Sequence, residues 1–202
     1  MKSSFGGWTY MNHEFSIDCG DIVLRLFRAE DLDDFHRITH EPEIARFLPG
    51  WNAPSKEMRA DWLMNYEIPG NERFLQAVRQ GTDIGDLQLR LVMTLKSTGA
   101  FIGWVCTGIK DELPAPNREI VYGIASAYGG KGYTTSAAAG LIRYLFEREL
   151  VDELNALALV SNPGSNSVIA KCGFKLQGDV TIDGEVYHHY KLFRNGELQG
   201  TT

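Results

Sequence analysis

Residues 119–136 read Glu119-Ile120-Val121-Tyr122-Gly123-Ile124-Ala125-Ser126-Ala127-Tyr128-Gly129-Gly130-Lys131-Gly132-Tyr133-Thr134-Thr135-Ser136. The β-branched and aromatic run from Glu119 to Ile124 predicts a strand. Gly129, Gly130 and Gly132 remove side chains where the chain must turn. Thr134, Thr135 and Ser136 then lead into a helix with Ala137, Ala138, Leu141, Leu145 and Phe146 as its apolar residues. Gly-Gly-Lys-Gly ahead of a helix offers several unpaired backbone N–H groups at the positive end of the helix dipole. That is a general site for phosphate groups. Without β-carbons, a diphosphate can approach the backbone closely. A Walker loop is a poorer fit, because Gly132 follows Lys131. A dinucleotide fingerprint would want a third glycine where Thr135 stands. The alternative is a plain strand-to-helix turn whose glycines only fit the bend.

Upstream, Asp21 to Phe27 alternates as a first strand, and Leu32, Phe35 and Ile38 have helical spacing within Glu30 to His40. Glu41 to Phe47 predicts a short helix. Pro49-Gly50-Trp51-Asn52 breaks the chain, and Pro54 to Tyr66 is helical again. Phe74 to Val78, Leu87 to Leu95 and Phe101 to Thr107 read as strands, the last two joined at Thr98-Gly99. Downstream, Leu154 to Val160 is a strand and Asn162 to Cys172 a helix. Phe174 to Thr181 and Glu185 to Phe193 form a hairpin around Asp183-Gly184. Asn162 reads as an N-cap, Pro163 as the first helical residue and Gly173 as the stop. Residues 1–20, with Gly6, Gly7 and Gly20, are expected to be an irregular extension. Residues 21–195 make one domain, and 196–202 a tail.

Composition narrows the function classes. The chain has 202 residues, 44% hydrophobic and 23% charged, enough for one globular core. A formal net charge of -6 without a basic cluster argues against a nucleic-acid partner. No apolar run is long enough to cross a membrane, and Met1 to Cys19 lacks a signal-peptide core. Three widely spaced cysteines, Cys19, Cys106 and Cys172, read as free thiols of a reducing compartment, so a cytoplasmic location is expected. His36 and His40 are four apart, but no Glu follows His36 and no third ligand is evident, so no metal is expected. No Gly-x-Ser-x-Gly elbow is present, and Cys172 falls on an apolar helix face.

Three motifs in order resemble the GNAT superfamily of acyl-CoA-dependent N-acetyltransferases, and more narrowly its ribosomal-protein N-terminal acetyltransferase branch. Ala127-Tyr128-Gly129-Gly130-Lys131-Gly132 matches the Gln/Arg-x-x-Gly-x-Gly/Ala loop. Glu119, Ile120 and Tyr122 match the Glu-Ile-x-Tyr of the strand before it. Asn162 to Phe174 matches Asn-x-x-Ser-x-x-Val-Ile-x-Lys-x-Gly-Phe. Phe101-Ile102-Gly103-Trp104 fits the preceding strand, and Leu24 to Arg28 the opening one. Two departures stand out: Ala127 replaces the usual Gln or Arg, and Ser136 stands where the branch often has Glu.

The resemblance implies an α/β (α+β) GNAT fold, a mixed and strongly bent sheet of six to seven strands with about four helices, split beside Ile124. It implies acetyl-CoA as cosubstrate and direct attack by a primary amine. The strand end at Ile124 and Ala125 would pair with the pantetheine arm and polarise the thioester carbonyl. Gly130, Lys131, Gly132, Tyr133 and Thr134 would hold the diphosphate, and Asn162 would contact the arm. Glu119 is the candidate base, on the face where Gly123 leaves room; the alternative is a solvated glutamate paired with Arg118 or a lysine. Ser165 is the candidate proton donor to the leaving sulfur; the alternative is a helix-start serine satisfying the backbone. Tyr122 is expected in the core, and His188 and Tyr190 near the acceptor or in packing. The acceptor is expected to be a protein N-terminus, with a small amine (an aminoglycoside or polyamine) or a non-catalytic acyl-CoA-binding module as alternatives. The enzyme would act as a monomer or homodimer.

Overall fold

The computed structural model describes residues 8–11, 14–194 and 196. Its centre is a nine-stranded sheet in the order β1-β2-β3-β4-β5-β6-β7-β9-β8. The strands are β1 (Trp8–Met11), β2 (Glu14–Cys19), β3 (Ile22–Leu26), β4 (Leu89–Leu95), β5 (Phe101–Ile109), β6 (Arg118–Ile124), β7 (Glu153–Leu159), β8 (Lys175–Ile182) and β9 (Glu185–Phe193). The helices are α1 (Leu32–Thr39), α2 (Pro42–Phe47), α3 (Lys56–Trp62), α4 (Ile68–Gln80), α5 (Tyr133–Glu147) and α6 (Pro163–Lys171). The mixed α/β class agrees with the sequence reading, but the sheet is wider than six to seven strands. Every neighbouring pair is antiparallel except β6 and β7.

Two expected elements are also corrected. The stretch expected to be irregular contains β1 and β2. Phe15 and Ile17 of β2 alternate into the core at 1% and 0% exposure, and a left-handed Gly20 turns the chain directly into β3. Phe74 to Val78, expected as a strand, lies inside α4. Its buried Asn71, Phe74 and Leu75 have the i, i+3, i+4 spacing of a helix face. Pro69-Gly70 is no break here, because the helix widens just before the proline and makes room for its ring. A π-turn over Leu63–Glu67 carries the chain from α3 into α4.

The two sheet faces carry two cores. Leu91, Met93, Val105 and Ile120 pack with Ala137, Ala138 and Leu141 of α5 and Ile169 of α6. Val92, Phe101 and Trp104 pack with Phe35 and Ile38 of α1, Ile44 of α2 and Leu63. Strand alternation places Glu119, Val121 and Gly123 on the second face, with Trp104. There β5 and β6 touch almost without side chains between them. A Cβ on Gly103 would overlap the carbonyl oxygen of Gly123. One on Gly123 would lie 2.5 Å from the six-membered ring of Trp104. The room expected at Gly123 is therefore filled by that fully buried indole. No helix among the described residues is long and apolar enough to cross a membrane.

Candidate active site

The site is built where β6 and β7 separate. They share one register pair, Glu119 with Asn155. Asn155, 1% exposed, fastens this end: its amide nitrogen donates to the carbonyls of Pro116 (3.1 Å) and Arg118 (3.2 Å). Its oxygen faces His189 Nε2 at 2.8 Å. Beyond this pair the strands diverge. Ala125 donates its N–H to Ile102 at 2.9 Å. Since antiparallel ladders alternate, that bond sets the phase: Tyr122 and Ile124 aim their N–H and C=O groups away from β5, into the gap. Ala125 does not share that role. Its N–H is taken, and its side chain lies in the second core at 3% exposure.

The chain leaves β6 through a 3-10 turn, Ser126–Tyr128, and enters the glycine loop. Gly130 and Gly132 have φ of +72° and +85°, a region that side chains with a Cβ rarely adopt. No side chain caps α5. Its first intrahelical bond runs from Ser136 to Gly132, which leaves the amides of Tyr133, Thr134 and Thr135 to face outward. Gly129, Gly130, Gly132, Tyr133, Thr134 and Thr135 all line one cavity of about 610 Å³. Lys131 does not line it; its ammonium lies 5.3 Å over the ring of Tyr128, which does.

Asn162 caps α6, accepting from the N–H of Ser165 at 3.0 Å. Its amide also donates to Ser165 Oγ at 3.2 Å. With that lone pair engaged, the serine's own proton is free to be given elsewhere. Tyr122 donates its phenol to the Ser165 carbonyl at 3.1 Å, and burial pushes that phenol upward in pKa. Asn162, Ser165 and Tyr122 line the cavity, so Tyr122 is wall as well as core. Tyr190 is packed away, donating to Asn166 at 2.8 Å, and His188 pairs with Asp179 at 2.6 Å. From β9 it is Tyr187 that lines the cavity.

Glu119 lines the same cavity on the face of α2. Arg118 does not pair with it, because its guanidinium donates to the carbonyls of Gly85 and Leu87 at 2.6 and 2.9 Å. Burial raises the Glu119 carboxyl to about 7. Lys110 opposes this and Glu112 adds to it. Lys110 itself bonds Glu112 at 2.8 Å.

The wall opposite Glu119 comes from α2 and the turn after it: Glu43, Ile44, Phe47, Leu48, Pro49 and Trp51. Glu41 ties this wall to the cofactor-side loop. Its carboxylate accepts from both the N–H and the Oγ of Ser126, each at 2.7 Å. Neither Glu41 nor Asn155 emerged from the sequence reading. Asn155 left one trace, a polar residue inside the apolar run Leu154 to Leu159. Glu41 left none, since its partner is 85 positions away.

The three cysteines are free, and burial raises Cys19 and Cys172 to about 11 and Cys106 to about 12. All three stay protonated near neutrality and cannot serve as ready nucleophiles. Among the described residues no group of three or more His, Cys, Asp or Glu is placed to hold a metal.

An extended cavity with free helix-start amides at one end, open strand edges along one side and a carboxylate at the other end fits an acyl-CoA. Known proteins agree. Residues 21–175 match the family model of the acetyltransferase (GNAT) domain. The chain is 27% identical over 146 residues to "Putative ribosomal N-acetyltransferase YdaF" of Bacillus subtilis (strain 168), covering 68% of this chain and 76% of that protein. A solved structure of RimL, a ribosomal L7/L12 alpha-N-protein acetyltransferase in complex with coenzyme A, superposes with a TM-score of 0.68. It is 15% identical and covers 90% of this chain and 99% of that one. AAC(6')-Ib in complex with paromomycin and acetyl-CoA superposes with a TM-score of 0.67 at 18% identity, covering 88% and 96%. The chain belongs to the GNAT family: it is an N-acetyltransferase that draws its acetyl group from acetyl-CoA.

Proposed function

We propose that this enzyme acetylates the α-amine of a peptide or protein N-terminus by direct attack, with Glu119 as base. The observation that carries the reading is the Glu119 carboxyl itself, half-buried in the cavity and raised to about 7. An α-ammonium has a pKa of about 7.7–8.0, so handing its proton to Glu119 costs about 1 kcal/mol. A lysine-like amine at about 10.4 would cost roughly 5 kcal/mol. The base is thus matched to an α-amine.

The neutral amine then attacks the thioester carbonyl carbon, forming the C–N bond. The N–H of Ile124, aimed into the gap, donates a hydrogen bond to the developing oxyanion. The C–S bond breaks as the tetrahedral species collapses, and Ser165 is placed to give the thiolate a proton. With a thiol pKa of about 8.5, that gift is a convenience. The extra proton on the new amide nitrogen returns through solvent to Ser165, and Glu119 releases to solvent the proton it took from the ammonium. Gly130, Gly132, Tyr133 and Thr134 hold the diphosphate on their amides, and Asn162 fixes Ser165.

Charge supports the choice of acceptor. The cavity's carboxylates, Glu43 and Glu119, are offset by Lys110 and Lys171. A polycation such as an aminoglycoside would find no surplus of negative charge there. The three free thiols support a reducing, cytoplasmic location. The test is release of coenzyme A from acetyl-CoA with a panel of short peptides beside aminoglycosides and polyamines. Turnover with peptides and none with the polycations is expected. The reverse pattern would replace this reading with a small-amine acetyltransferase, and no turnover with any acceptor would leave a binding module.

A further inference from the structure

We infer that the site selects acceptors whose first residue has a large apolar side chain. This rests on the N-terminal acetyltransferase reading above. The substituent on the carbon next to the reacting amine must sit within a few bonds of Glu119. Apart from Glu43 and Lys110, what it meets there is apolar. Val121 lies beside Glu119 on the same face of β6. Phe47, Leu48 and Trp51 stand opposite, and Ile182 and Tyr187 close the side from the β8–β9 hairpin.

That wall is preformed. Trp51 rests against Trp104 with ring centroids 5.1 Å apart, and against Phe35 at 6.3 Å. The Arg90 guanidinium lies 5.7 Å over its ring. The Trp51 carbonyl is held by Arg59, which is 1% exposed. Trp51, backed on these sides, cannot collapse to cover itself. Phe47, with the Arg46 guanidinium 4.8 Å over its ring, Leu48 and Trp51 are partly exposed and stay so until an acceptor covers them. Serine or alanine as first residue would leave that surface in water. Leucine or phenylalanine would remove it from water, an effect worth about 10- to 100-fold in kcat/KM. An acidic first side chain would have to leave water against these apolar side chains and would be rejected.

The test is a peptide series identical beyond its first residue, which is Ser, Ala, Leu, Phe or Asp, with acetyl-CoA held saturating. Leu and Phe are expected to exceed Ser by about 10-fold or more in kcat/KM, with Asp lowest. Phe47→Ala should shrink the Leu-to-Ser ratio toward one, while calorimetric titration with coenzyme A checks that the variant is folded. Ser or Ala peptides equal to or better than Leu would overturn the inference and leave the N-terminal reading standing. Acetylation of polyamines with no peptide turnover would overturn both. A clear preference for butyryl-CoA over acetyl-CoA would also overturn it, by giving the wall to the acyl chain instead.

Discussion

Replacing Glu119 with glutamine should make this enzyme much slower and, at the same time, more stable. Holding a carboxyl at about 7 instead of its ordinary 4.5 means the ionised form is disfavoured in the folded state. The full penalty is about 3 kcal/mol, and partial solvent exposure reduces it to roughly 2–3 kcal/mol. The sign follows from the direction of the shift. The penalty is absent below about pH 4.5, grows as pH rises and is complete above about pH 7. Glutamine has no charge to bury, so Glu119→Gln should gain on the wild type from pH 5 upward and level off near pH 8. Its buried amide gives back about 1 kcal/mol, leaving a gain of about 1–2 kcal/mol, or roughly 2–8 °C in Tm. Activity should move the other way. Loss of a general base lowers kcat/KM by about 10²–10⁴-fold and removes the fall in rate below pH 7. Thermal unfolding from pH 4 to 8 and initial rates over the same range test both halves. A variant that keeps the wild-type pH profile would remove Glu119 from the chemistry. One less stable than wild type at pH 8 would refute the burial reasoning behind its pKa.

Other perturbations have smaller or different readouts. Ser165→Ala should lower kcat less than about 10-fold, because a thiolate of pKa about 8.5 leaves without help; a loss of 10³ would make the hydroxyl essential. Asn162→Ala removes the α6 cap and should cost about 1 kcal/mol, seen as a drop of roughly 2–4 °C in Tm. Gly103→Ala drives a Cβ into the carbonyl of Gly123 and should destabilise by about 3 kcal/mol or more, measured by urea unfolding. Glu41→Ala frees Ser126 from α2. Amide exchange in residues 42–51 should then quicken by about tenfold, and coenzyme A, expected to slow it in the wild type, should slow it less in the variant.

The parts that could be read from the sequence are those whose determinants are local. Gly132 can adopt φ of +85° where a Cβ would be strained, and an apolar helix follows at once, so the loop was visible as a loop. Asn162-Pro163 announced α6 because capping involves only neighbours. The failures have the opposite character. Pro69-Gly70 looks like a break, yet the π-turn before it keeps the helix going. Glycines near the start masked the alternation of Phe15 and Ile17, whose strand is defined by pairing with β1 and β3. Gly123 looked like open space, and only the sheet register brings Trp104 over it. Asn155 and Glu41 act on backbone groups remote in sequence, and nothing in their own neighbourhoods names those partners.

The most direct test of the account is calorimetric titration of acetyl-CoA into the wild type and into Gly132→Glu, with unfolding followed in parallel. The wild type should bind, and at a hundred times the dissociation constant should gain about 2.7 kcal/mol, a rise of roughly 5–10 °C. Gly132→Glu should fold but show no such rise, because its carboxylate and altered backbone spoil the amide cradle. Equal binding by the variant would move the diphosphate off this loop. No binding by the wild type at millimolar acetyl-CoA would contradict the assignment of the cavity.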